Sequence, residues 1–101
     1  FAEQLNWRIP VPVTVLIPQP LRSLTGNLSK VAGEGANIAS LVANLEGSYP
    51  GMRERVLDES GQLRRFVNIY VNGDDVRFSE GLGTPLKDGD EVSIVPAVAG
   101  G

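Results

Sequence analysis

Apolar and polar residues alternate along "VPVTVLIP", which puts Val11, Val13, Val15 and Ile17 on one face and Pro12, Thr14 and Leu16 on the other. A period of two marks a half-buried strand. Within "LRSLTGNLSKV", the Thr25-Gly26-Asn27 turn predicts a second short strand around Leu28 to Val31, and so an opening β-hairpin. The period changes in "GANIASLVANLEGSYPG". Ile38, Leu41, Val42 and Leu45 recur at i, i+3, i+4 and i+7, one stripe of an amphipathic helix, with Asn37 placed to cap its first turn. Gly47 and then Pro50-Gly51 are expected to end this helix, and "MRERVLDES" to add a short helical turn.

Alternation returns in "RFVNIYV", with Val67, Ile69 and Val71 facing one way and Phe66, Asn68 and Tyr70 the other. Asn72-Gly73 is a tight-turn pair, after which "DDVRF" is expected to return as a short strand. "SEGLGTPL" reads as loop, "KDGD" as a turn and "EVSIVP" as the last strand, with Val92 and Ile94 inward. One main helix across one face of a mixed sheet is an α+β roll. Residues 1–10, "FAEQLNWRIP", show no clear period and read as an N-terminal extension; whether they are native, processed, added or disordered is left open. The domain is expected over 11–95, followed by a flexible tail, 96–101, that ends in Gly-Gly.

Composition narrows the chemistry. A chain of 101 residues with 42% apolar and 21% charged residues is a single ordinary globular domain. Its net charge of -3 argues against nucleic acid, whose binding needs clustered cations. Arg53, Arg55, Arg64 and Arg65 are interspersed with Glu54, Asp58 and Glu59, a solvated mixed surface. No apolar run reaches membrane-spanning length, so no membrane is expected as a partner and the cytoplasm is the expected location. The chain has neither Cys nor His, which excludes Ser-His triads, cysteine nucleophiles and thiolate or imidazole zinc sites. Asp74-Asp75, and likewise Asp88 and Asp90, read as turn carboxylates. Neither a metal site nor independent catalysis is expected.

The stretches "RFVNIYVNGDDVRF", "LKDGDEVSIVPAVAGG" and "VTVLIPQPLR" change this picture. Over residues 11–101 the chain resembles the ThiS/MoaD family of ubiquitin-like sulfur carriers, whose fold is the β-grasp. "FVNIYVN" and "PAVAGG" resemble the cysteine-biosynthesis branch of that family in particular. The resemblance implies that the Gly101 carboxylate is the reactive group, preceded by Gly100. An adenylyltransferase/sulfurtransferase resembling a ubiquitin-activating (E1) enzyme would adenylate it with ATP and convert it to a thiocarboxylate. The chain itself would bind no cofactor. A pyridoxal-phosphate-dependent, cysteine-synthase-like enzyme would accept the sulfur, and a metal-dependent peptidase would release cysteine.

The residue types suit that task. Glycines at 100 and 101 let a tail thread a narrow channel, Pro96 stiffens the exit from the sheet, and Val98 and Ala99 offer an extended arm that a partner can grip. Leu16, Phe66, Tyr70 and Val95 fall on the outer sheet face, where apolar side chains suggest a partner surface. Against this, the N-terminal segment or the loop near Phe78 would simply cover them. Asp88, Asp90 and Glu91 read as a soluble turn rather than as steering charges. Molybdopterin-synthase and thiamin-pathway carriers share the same activation step and stay open as alternatives. So do a protein modifier joined to lysines and a plain interaction domain; the last predicts that deleting Gly100 and Gly101 leaves function intact.

Overall fold

The computed structural model describes residues 12–96. Five strands form one mixed sheet: β1 (Val13–Leu16), β2 (Lys30–Gly33), β3 (Val67–Val71), β4 (Asp74–Asp75) and β5 (Glu91–Pro96). Their order across the sheet is β2-β1-β5-β3-β4. β1 and β5 run parallel at the centre, and the other neighbours are antiparallel. The two central strands come from opposite ends of the chain, so the sheet closes only when β5 docks between β1 and β3.

The alternation read from the sequence sets which face is buried. Val13, Val15, Val67, Ile69, Val92 and Ile94 all point into the core, together with Ile17. Val71 is only half-buried, since it lies at the end of β3 beside the turn. The helix α1 (Ile38–Ser48) covers that core with Ile38, Leu41, Val42 and Leu45, all buried. Asn37 caps it: its Oδ1 accepts the Ser40 N–H at 2.9 Å, satisfying a donor that the first turn leaves free. A short helix α2 (Met52–Val56) closes one end of the core with Met52 and Val56, both fully buried. Close approach of α1 to the β2 end depends on Gly35. A Cβ there would lie 2.5 Å from the Leu41 backbone nitrogen.

Four local expectations need correction. The second strand is Lys30–Gly33 rather than Leu28 to Val31. Leu28 is 52% exposed because Thr25 Oγ1 and the Thr25 carbonyl both engage its backbone, holding it in the turn. The two strands do pair antiparallel as the expected hairpin, but their connection is more than the Thr25-Gly26-Asn27 turn, because Gln19–Thr25 forms a 3-10 helix that buries Leu21 and Thr25. α1 ends before Pro50-Gly51 as expected, but Gly47 itself does not stop it: the helix continues to Ser48, with the Tyr49 N–H bonded to the Leu45 carbonyl. An exposed glycine costs a helix about 1 kcal/mol, too little to break one anchored by four buried residues. Finally, "DDVRF" pairs with β3 only over Asp74–Asp75 and then turns into a 3-10 helix, Val76–Phe78, capped by Asp75. A further 3-10 turn, Gly81–Gly83, lies within the segment read as loop.

Candidate functional site

Two features meet at the end of β5: the outer face of the sheet, and Pro96, the last described residue. Leu16 and Tyr70 both stand opposite Ser93, one on each flanking strand. Neighbouring strands lie about 4.8 Å apart, so Leu16 and Tyr70 are separated by roughly 10 Å across β5. Val95 sits two residues further along β5, opposite Asn68. Leu16 and Tyr70 are half-buried, Val95 is 43% exposed and Phe66 51% exposed. The structure therefore gathers Leu16, Tyr70 and Val95 on one face and sets Phe66 at its end, immediately before β3. Ser93, Asn68 and Thr14 share the face, which makes it mixed rather than wholly apolar. Phe78 is not a cover for it: its ring is 91% exposed, which a side chain packed over a neighbour would not be.

Sequence reading missed one contributor. Arg77 donates from Nη1 to Asn68 Oδ1 at 2.6 Å and from Nη2 to the Arg64 carbonyl at 2.7 Å. Asn68 faces outward between buried Val67 and Ile69, so these bonds bring the Arg77 guanidinium onto the outer face. The local signal was Asp75, whose Oδ1 accepts the Arg77 N–H at 2.8 Å and so fixes the turn that carries the arginine.

The turn carboxylates Asp75 and Asp90 brace their own turns. Asp90 accepts the Lys87 N–H at 2.9 Å and the Asn72 side-chain amide at 3.0 Å. These bonds, the Lys87 N–H first, hold its pKa below the usual aspartate value. Among the described residues no group of three or more His, Cys, Asp or Glu is arranged to hold a metal ion, and no helix is long and apolar enough to cross a membrane. A concavity of about 720 Å³ there is an open groove between the β3–β4 turn and the Thr84–Asp90 segment rather than an enclosed cleft. Gly100, Gly101, Val98 and Ala99 lie outside the described residues.

The family model of the ThiS family matches residues 15–101, the core of the sheet and everything after it. The chain belongs to the ThiS family. This ThiS-family chain is 53% identical over 91 residues to the sulfur carrier protein CysO of Mycobacterium tuberculosis, covering 88% of its own length and 98% of the relative. It superimposes on a chain of the Amycolatopsis orientalis BexX/CysO complex with a TM-score of 0.83 at 46% identity, covering 88% of this chain and 99% of that one. It is also 38% identical over 68 residues to small archaeal modifier protein 3 of Haloferax volcanii, covering 67% of this chain and 73% of the relative. The fold is thus the ubiquitin-like β-grasp of the sulfur carriers, as the element order implied.

Proposed function

We propose that this chain carries sulfur as a C-terminal thiocarboxylate for cysteine synthesis. The observation that carries the reading is the family match, which extends through Gly101 and so includes the terminal Gly-Gly. A partner adenylyltransferase joins the Gly101 carboxylate to AMP, releasing pyrophosphate from ATP. A sulfide-level donor then attacks the acyl carbon, AMP leaves, and Gly101 ends as a thiocarboxylate. This soft nucleophile adds to an aminoacrylate held on a pyridoxal-phosphate enzyme. Rearrangement leaves cysteine in amide linkage to Gly101, and a metal-dependent peptidase hydrolyses that amide and restores Gly-Gly. The chain acts as a co-substrate of its partner enzymes, in the cytoplasm, and the domain serves as the handle they recognise.

The identity to CysO supports cysteine as the product, and the existence of a BexX/CysO complex supports recognition of the folded domain by partner proteins. A second reading, attachment to lysines as a modifier, is favoured by the similarity to small archaeal modifier protein 3. Both use the same activated tail. Intact-mass spectrometry after incubation with an adenylating enzyme, ATP and sulfide tests the first: one oxygen is replaced by sulfur at Gly101. An unchanged mass with an enzyme active on another carrier refutes it, and lysine-linked adducts in cells without thiocarboxylate support the second.

A further inference from the structure

On a chain of net charge -3, the chain's exit from the sheet is set among arginines. Val67 pairs with Pro96, the last residue of β5. Arg65 and Phe66 immediately precede Val67, and Arg77 is bonded to Asn68 immediately after it. All three side chains, Arg65, Phe66 and Arg77, are exposed. The Arg65 guanidinium lies 5.8 Å from the centre of the Phe66 ring, within cation–π range, which orients both groups.

The neighbouring charges are answered differently. Arg64 lies near Asp58, whose carboxylate also takes the Gln62 and Ser60 N–H groups. The Arg77 guanidinium bonds described here end on neutral oxygens, an amide and a peptide carbonyl, so they fix its position without cancelling its charge. Asp75, the nearest acid in sequence, directs Oδ1 to the Arg77 backbone N–H. A guanidinium has five donors and two here are used, which leaves three N–H groups for an acidic partner.

We infer that Arg65, Phe66 and Arg77 form a cationic, aromatic collar at the root of the tail, which docks on an acidic rim around the channel of the adenylating partner. This rests on the carrier reading above. Charges of opposite sign beside the channel would raise the encounter rate and align the tail before its terminus arrives. Arg77 is held by its two hydrogen bonds, so it has little side-chain freedom left to lose on docking.

The test compares the full chain with Arg65→Glu, Arg65→Lys and Phe66→Ala, each first shown to melt like the parent. Binding to a recombinant enzyme that adenylates C-terminal glycines is measured across a salt series, and pyrophosphate exchange is followed separately. The collar predicts that Arg65→Glu weakens binding about tenfold at low salt and flattens the salt dependence, while Arg65→Lys keeps most of the affinity. Phe66→Ala should weaken binding at all salt concentrations. Equal affinity and equal salt slope for Arg65→Glu and the parent overturn the collar. Failure of pyrophosphate exchange by the parent, with binding still dependent on Arg65, overturns the carrier reading and leaves the collar standing. Absence of any binding by the parent overturns both.

Discussion

The Asn72 side chain spans from the β3–β4 turn to the start of β5, donating to Asp90 Oδ1 at 3.0 Å and accepting the Glu91 N–H at 3.0 Å. Its own backbone N–H bonds the Glu91 carbonyl at 2.8 Å. One residue thereby ties the hairpin to the strand that must insert between β1 and β3. Its φ of 52° is left-handed, a conformation that asparagine tolerates better than most residues. Asn72→Ala should lower stability by about 1–2 kcal/mol, combining the lost hydrogen bonds with the left-handed penalty. Asn72→Gly, which removes the bonds but relieves the backbone, should cost less. Chemical denaturation of the two variants checks the order.

Acid should loosen the same junction. Hydrogen bonds from the Lys87 N–H and the Asn72 amide hold the Asp90 pKa below its ordinary value. Donors also lower Glu46, chiefly the Arg53 and Gly51 N–H groups, and Asp58, chiefly the Gln62 N–H and Ser60 hydroxyl. A carboxylate with a depressed folded pKa stabilises the fold above its unfolded value, about 4. That contribution is lost as the pH falls through the folded value. Melting temperature should therefore decline below about pH 4, and Asp90→Asn should flatten the decline.

The approach of α1 to the sheet gives a steric prediction. A Cβ on Gly35 would meet the backbone of Leu41 at 2.5 Å, whereas one on Gly33 would meet the Leu41 Cδ1 at 2.6 Å. A side-chain end can rotate aside, but a helix backbone cannot. Gly35→Ala should destabilise by about 2–3 kcal/mol and Gly33→Ala by less, although buried Leu41 limits the relief. Thermal melts of both variants test this ranking.

Tail variants should separate chemistry from folding. Gly100→Leu is expected to melt with the parent yet form thiocarboxylate at least tenfold more slowly, because a branched side chain blocks a narrow channel. Intact-mass time courses measure the rate.

The outer face predicts a different kinetic signature. Val95→Asp puts a charge where a partner would bury a 43% exposed apolar side chain. It should raise KM for adenylation about tenfold with little change in kcat, since the reacting atoms are untouched. Steady-state kinetics with the folded variant distinguish this from loss of structure.

The period of two in β1, β3 and β5, the helical stripe of α1 with its Asn37 cap, and the Asn72-Gly73 turn were all legible in the sequence, because each arises from interactions within a few residues. Tertiary structure decided what depends on distant partners. Thr25 draws Leu28 out of the second strand, the buried stripe of α1 carries the helix past Gly47, and β5, from the opposite end of the chain to β1, enters between β1 and β3. It also carries Arg77 back along β3 to Asn68, nine residues away, and so beside the root of the tail. Local periodicity records which face a side chain takes; only the closed sheet determines which distant residues share that face.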